Sequence, residues 1–345
     1  MFDQLTGNEQ VKKLLRRMLE TRRVPGALLF SGEEGIGKKL FALELARALN
    51  CRTRQNSEAC GKCGICQRTL VLNYPESRDP ETLERIIWSN HPDVGMVVAP
   101  GRVLKVDQMR AIEREANYRP FEGAARFFIV DDADKLNEPS ANALLKVLEE
   151  PPPTSHLILV TSRPAMLLPT IRSRCQAIRF SPLTADEIEK HLLANKLAKP
   201  AEARLRARAA GGSLARALTG DLETFQERRN AMLQVLSALA ISGDRSRLLR
   251  LAEEMNDANH KDDYELALEI LETLIRDALM ISLGVDAKHL VNADLADQLA
   301  KVGDRIDSTR AISWISQIEE VREQLLVNIN RKPATDSLFL SMASA

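Results

Sequence analysis

The segment SGEEGIGKK has the glycine spacing of a phosphate-binding loop, in which backbone N–H groups cradle an anion. Gly32, Gly35 and Gly37 shape the loop, and Lys38 is placed to reach terminal phosphates. Lys39, however, stands where such loops carry the Ser or Thr hydroxyl that binds Mg²⁺. A cation this close to Mg²⁺ costs on the order of several kcal/mol, so the segment predicts the shape of a nucleotide site with weakened metal chemistry.

A second segment, FFIVDDADKL, is an apolar run that ends in Asp131 and Asp132. In phosphate-loop enzymes the acidic residue at the end of such a strand organises Mg²⁺ through water, and the next position commonly holds a Glu that polarises the attacking water. Asp132 is one methylene shorter than Glu, which would misplace the base by about one ångström and slow the reaction about 10²-fold. Lys39 and Asp132 therefore weaken the same chemistry.

Four of the five cysteines lie within sixteen residues, in the segment CRTRQNSEACGKCGIC. Their spacing, C-x8-C-x2-C-x2-C, suits a closed tetrahedral zinc site, whereas disulfides are typical of small secreted proteins. Four sulfur ligands would leave no open position for a catalytic water, so the site is predicted to be structural. The predicted metal ligands are Cys51, Cys60, Cys63 and Cys66.

The segment PTIRSRCQ holds the remaining thiol, Cys175, next to Arg174. A lone cysteine without a nearby His is more often a buried core residue than a nucleophile. Spacing alone favours Arg174 as a solvated surface charge, with an arginine finger as the alternative.

The elements that must position these residues alternate along the chain. The runs ALLFSG, VGMVVAP, RFFIVDDA and SHLILVTS predict strands, and stretches such as KVDQMRAIEREANY and PSANALLKVLEE predict helices between them. This alternation predicts an α/β fold with a parallel, doubly wound sheet. We expect this domain to cover residues 1–180 with the cysteine module at about 50–67, followed by a small helical domain at 181–220 and an all-helical domain at 221–345.

Length and composition bound the possible classes of protein. The 345 residues exceed one ordinary core, and 44% hydrophobic with 28% charged residues indicate a soluble globular chain. The 48 basic residues balance the 48 acidic ones, which removes any global attraction to nucleic acid or to an anionic membrane. No apolar run is long enough to span a bilayer, and the first ten residues do not resemble a signal peptide, so the chain is predicted to be cytoplasmic.

Over roughly residues 1–220 the chain closely resembles the clamp-loader branch of the AAA+ proteins. In bacteria, members of this branch are subunits of the DNA polymerase III assembly. The resemblance is carried, in this order, by SGEEGIGKK, CGKCGIC, HPDV, IVDDADKLNEPSANALLKVLEEPP, LVTSRP and TIRSRC. It implies an AAA+ domain with an inserted zinc module, a helical lid and a helical collar for oligomerisation. It also implies that Arg174 is an arginine finger for a neighbouring subunit's ATP, and that Thr161 and Arg216 occupy the two sensor positions.

Departures from the family pattern refine this expectation. The ATP-hydrolysing gamma/tau subunit carries G-K-[ST] and an Asp-Glu pair, whereas this chain has Lys38-Lys39 and Asp131-Asp132. The differences favour a non-hydrolysing stator and activator, with structural zinc and with ATP weak or absent at its own site. The implied partners in a hetero-oligomer are gamma/tau and delta subunits, a sliding clamp, and primed DNA reached through the complex during replication.

Three alternatives remain at this point. An active ATPase of the gamma/tau type would turn over ATP as a purified chain. A nucleotide kinase shares the phosphate loop, but it would need an acceptor-binding lid and would leave TIRSRC without a role. A zinc-dependent DNA-binding protein fits poorly with zero net charge and with four thiolates that saturate the metal.

Overall fold

The computed structural model describes residues 1–54, 57–75, 85–220, 222–256, 263–286, 290–325 and 330–344. The described chain divides into two compact units, Met1–Thr219 and Gly220–Ala345. The predicted boundaries at residues 180 and 220, and the extent of the cysteine module, stay predictions.

The first unit is built on a six-stranded sheet with the order β2-β3-β4-β5-β1-β6. Four neighbouring pairs are parallel and only β2 with β3 is antiparallel. The short connection between those two strands requires this, because parallel neighbours need a long crossover. The strands are β1 (Ala27–Ser31), β2 (Ile87–Trp88), β3 (Val94–Val97), β4 (Arg126–Val130), β5 (Ser155–Thr161) and β6 (Gln176–Arg179).

Helices cover both faces of this sheet, which confirms the predicted doubly wound α/β fold. Successive residues of β1 point to opposite faces, so Phe30 joins a core with Leu15 and Phe41, while Leu29 joins a second core with Ile112. The helices are α1 (Glu9–Glu20), α2 (Lys38–Asn50), α3 (Gly64–Thr69), α4 (Val106–Ala116), α5 (Glu138–Glu149), α6 (Pro169–Arg172), α7 (Ala185–Ala194), α8 (Pro200–Ala209) and α9 (Leu214–Thr219).

Local sequence signals fix where several of these helices begin. The Asn137 side chain accepts a hydrogen bond from the Ser140 backbone N–H at 3.0 Å and starts α5. Thr184 and Glu187 form a capping box at the start of α7, in which each side chain accepts the other's backbone N–H. The last three helices of the unit, α7 to α9, enclose a small apolar core of their own that includes Ile188.

The second unit is helical throughout its described residues, as the sequence predicts. Its core surrounds Trp314, whose ring N–H donates to the Met342 carbonyl at 2.8 Å, and includes Leu271 and Phe339. Among the described residues, no helix combines the length and the apolar character needed to cross a membrane. The helices are α10 (Leu222–Ser237), a π-helical turn (Ala238–Ser242), α11 (Arg245–Met255), α12 (Asp263–Ser282), α13 (Ala296–Gly303), α14 (Ser308–Leu325) and α15 (Arg331–Ser344). Short 3₁₀ helices occur at Phe2–Gln4, Ala133–Lys135, Pro164–Met166 and Ala293–Leu295.

Candidate functional site

The carboxyl ends of β1, β4 and β5 meet at one edge of the sheet, because the three strands are parallel and adjacent. The phosphate-type loop, residues 32–37, follows β1 and leads directly into α2. Asp131 and Asp132 follow β4, and Thr161 is the last residue of β5. The structure therefore brings together the loop, the acidic pair and the threonine that the sequence placed far apart.

The ammonium group of Lys38 lies inside the loop. Its Nζ donates to the Gly32 carbonyl at 2.6 Å and to the Glu33 carbonyl at 2.5 Å, and the side chain is buried. Burial lowers the pKa of Lys38, although Asp131 and nearby acidic residues act in the opposite direction. The residue expected to reach a phosphate is thus already hydrogen-bonded to the loop itself.

Lys39 pairs with the strand-end carboxylate. Its Nζ lies 2.8 Å from Asp131 Oδ2, across the gap between α2 and β4. Burial on its own would lower the pKa of Lys39, but the attraction of Asp131 outweighs it and raises that pKa, so the side chain is a cation at neutral pH. The carboxylate that would organise Mg²⁺ is therefore neutralised by a residue of this chain.

Asp132 pairs with a neighbouring lysine. Its backbone has φ of +49°, and its carboxylate, 52% exposed, pairs with Lys135 Nζ at 2.9 Å. The buried Thr161 hydroxyl donates to Asp134 Oδ1 at 2.5 Å and accepts from the Arg163 backbone N–H at 2.9 Å. Sequence reasoning missed the partners of Asp132 and Thr161, although both partners lie in the same DDADKL segment.

The start of α9 contacts the tip of the loop. The Ala215 N–H donates to the Gly35 carbonyl at 3.0 Å, and the Arg216 N–H donates to Ser213 Oγ at 3.3 Å. A Cβ at Gly35, which has φ of +76°, would lie only 2.2 Å from Ser213 Oγ. Only glycine fits at position 35. Arg216 lies in α9, the helix that contacts the loop.

The four clustered cysteines converge on one point. Their sulfur atoms all lie within 4.8 Å of one another, with Cys51 to Cys63 at 4.0 Å and Cys60 to Cys66 at 3.8 Å. These separations exclude disulfides, whose sulfurs are about 2.05 Å apart, and they match the roughly 3.8 Å expected around a tetrahedral Zn²⁺ with bonds of about 2.3 Å. Backbone N–H groups of Cys60 and Cys63 donate to Cys51 Sγ and Cys60 Sγ, both at 3.3 Å. The donor set could hold a metal ion.

Charged contacts attach the cysteine cluster to the rest of the unit. Arg68 in α3 donates through both terminal nitrogens to Glu122, at 2.7 and 2.9 Å. On the other side, Arg16 in α1 pairs with Glu58 at 2.6 Å. No local sequence pattern indicates either pair, because each joins residues that are distant along the chain.

Arg174 follows α6 and is half-exposed. Its Nη2 lies 2.7 Å from Glu149 Oε1, and its Nη1 donates to the Thr170 carbonyl at 2.9 Å. The neighbouring Cys175 is buried, which raises the pKa of its thiol to about 12 and keeps it in the unreactive neutral form. Among the described residues, the polar partners of Arg174 do not include the chain's own loop at 32–37.

Two family models align with the chain. The model described as DNA polymerase III, delta subunit, matches residues 7–184, and the one described as DNA polymerase III, delta subunit, C terminal, matches residues 223–334. The chain belongs to the DNA polymerase III delta subunit family.

Individual relatives are named as subunits of DNA polymerase III. The DNA polymerase III subunit delta' of Bacillus subtilis is 28% identical over 96% of this chain and 95% of that protein. The tau subunit of Escherichia coli is 32% identical over 75% of this chain but only 38% of that longer protein. Among solved structures, a gamma subunit-related protein of Thermotoga maritima aligns over 96% of this chain and 98% of that chain, with 18% identity and a TM-score of 0.40. The resemblance predicted from the sequence is confirmed, and relatives named delta' match nearly the whole chain.

Proposed function

We propose that this chain acts as the delta-prime-type subunit of a bacterial clamp loader, as a stator and activator that does not hydrolyse ATP itself. It would form a hetero-oligomer with gamma/tau and delta subunits in the cytoplasm. Within that assembly it would help to open a sliding clamp and place it on primed DNA, using ATP bound by its neighbours.

The observation that carries this proposal is the pair between Lys39 and Asp131. An ammonium group 2.8 Å from the strand-end carboxylate competes directly with Mg²⁺ for that carboxylate. Asp132 pairs with Lys135 and is one methylene shorter than the usual Glu, so the position that should polarise an attacking water is weakened as well. The Mg²⁺ position and the water-polarising position are therefore both weakened, while the fold of the loop is retained.

Arg174 is the residue that would activate ATP hydrolysis on a neighbouring subunit. An arginine finger acts by placing its charge beside the phosphoryl group that is being transferred on a neighbouring subunit. Arg174 is accessible to such a neighbour, because its side chain is 35% exposed and its polar contacts are to Glu149 and Thr170. We assign it the role of a finger in trans.

We also propose that Cys51, Cys60, Cys63 and Cys66 bind one structural Zn²⁺. When bound, the metal would stabilise the segment between α2 and α3, since all four ligand positions would be filled by sulfur. The thiolates themselves orient the turns of this segment through their hydrogen bonds to backbone N–H groups.

The main alternative is an active ATPase of the gamma/tau type, which the 32% identity to tau favours at the level of sequence. The geometry at Lys39 and Asp132 argues against it. Neither a nucleotide kinase nor a zinc-dependent DNA-binding protein accounts for the match of both family models to this chain.

The proposal is tested by replacing Arg174 in a reconstituted loader. With gamma/tau, delta, the clamp and primed DNA present, Arg174→Ala should lower ATP turnover of the whole complex by about a third to a half, because one finger, worth about 10³–10⁵ at its own site, is lost among several sites. Arg172→Ala is the matched control, since Arg172 is exposed and its side chain forms no hydrogen bond or ion pair with the described residues. Unchanged turnover with Arg174→Ala would reject the finger role, and ATP turnover by the purified chain would reject the stator role.

A further inference from the structure

The guanidinium group of Arg174 is held by its own chain at two points. Nη2 forms an ion pair with Glu149, and Nη1 donates to the Thr170 carbonyl, one turn earlier in the chain. The side chain therefore folds back toward α5 and α6. A finger works by placing its positive charge beside a phosphoryl group, so a guanidinium paired with a protein carboxylate is not acting as one.

Glu149 occupies an unusual place for an acidic residue. It is the last residue of α5, and Glu150 follows it directly. A carboxylate at the carboxyl end of a helix faces the negative end of the helix dipole, which is unfavourable. Arg174 supplies a compensating cation. Glu149 therefore destabilises the end of α5 but binds the guanidinium group.

We infer that Glu149 is a positioning residue. It is the counterion that holds Arg174 at rest, and Arg174 leaves it for the phosphate of ATP on a neighbouring subunit. The inference rests on the arginine-finger role proposed above. The exchange involves ionic contacts only and no covalent change: Arg174 leaves one anionic partner for another.

The exposure of the pair makes such an exchange feasible. Glu149 is 50% exposed and Arg174 is 35% exposed, so water screens their attraction and solvates Glu149 once Arg174 has left. Exposed ion pairs of this kind change an equilibrium by about two- to fivefold. Removing the carboxylate should therefore favour the phosphate-bound position of Arg174 by about that factor.

The experiment compares Glu149→Gln with Glu150→Gln in the reconstituted loader, with ATP turnover measured against ATP concentration. Glu149→Gln should lower the KM for ATP about two- to fivefold and leave kcat within about twofold, because the competition affects the ground state and the transition state alike. Glu150→Gln removes the same charge one residue further on, where the side chain has no partner in the described part of the chain, and should leave KM unchanged.

A double variant shows whether the effect acts through Arg174. In the Arg174→Ala background, Glu149→Gln should have no further effect on KM. An unchanged or raised KM with Glu149→Gln alone would overturn the inference, and so would an equal shift in the Arg174→Ala background. If instead Arg174→Ala leaves turnover at the wild-type level, the proposed finger role itself fails. Gel filtration and thermal melting of each variant check assembly and folding, both of which should match wild type because the pair is exposed.

Discussion

At the scale of single residues, the two lysines after the loop stabilise it in different ways. Lys38 places a buried ammonium against two loop carbonyls, and Lys39 places a partly exposed ammonium against Asp131. A buried cation without acceptors would be costly, so the two carbonyls stabilise the Lys38 ammonium inside the loop. The contact that stabilises the Lys39 ammonium, its pair with Asp131, is the one that weakens the loop as a Mg²⁺ site.

Replacement of Lys39 tests this trade directly. Lys39→Thr removes the competing cation and restores a hydroxyl, so the affinity for ATP in the presence of Mg²⁺ should rise about tenfold in equilibrium binding measurements. Turnover should stay low, because Asp132 remains one methylene too short to place the attacking water. Lys13→Thr serves as the control, since Lys13 is exposed and without a side-chain partner among the described residues. If affinity in Mg²⁺ does not change, Lys39 is not what blocks the site.

How much of the site can be predicted from the sequence depends on how far apart the interacting residues lie along the chain. The loop glycines and the cysteine cluster were found because each is a local pattern with a fixed spacing. The pair between Lys39 and Asp131 joins positions 92 residues apart, and only the adjacency of strand ends brings them together. The contact between Arg174 and Glu149 was missed for the same reason, since it depends on where α5 ends relative to α6.

At the scale of elements, the cysteine cluster joins the end of α2 to α3. Cys51 directly follows α2 and Cys66 lies within α3, so a bound metal would fix one helix relative to the other. Arg68 in α3 also donates two hydrogen bonds to Glu122, which attach this helix at a second point.

The fold class was predictable from alternating strands and helices, whereas the two-residue β2 was too short to show any periodicity.

Loss of one thiolate should release the metal. We expect the purified chain to contain about one Zn²⁺, and Cys63→Ser to lower that content to near zero and to destabilise the segment from α2 to α3, because a structural zinc site contributes folding energy. Elemental analysis measures the metal, and limited proteolysis followed by mass spectrometry locates the loosened segment. Cys175→Ser is the control for metal content, since Cys175 lies outside the cluster. A metal-free, fully folded wild-type chain would contradict the assignment.

At the scale of the whole molecule, the candidate functional residues lie in the first unit, and the all-helical core lies in the second. Met1–Thr219 contains the loop, the cysteine cluster and Arg174, together with three apolar cores. Gly220–Ala345 has a separate core around Trp314 and Leu271. Because each unit buries its own apolar side chains, each has the internal packing that an independently folding domain requires.

The predicted role of the helical unit as an oligomerisation domain can therefore be tested by truncation. A chain ending at Thr219 should unfold cooperatively and retain its metal, because its sheet, its cores and the cysteine cluster are all present. It should no longer co-elute with gamma/tau and delta subunits in gel filtration, whereas a chain of residues 220–345 should still do so. Full-length protein run under the same conditions is the reference for assembly. If the chain ending at Thr219 assembles as well as the full-length protein, the contacts that hold the complex lie in the α/β unit, and the helical unit has another role.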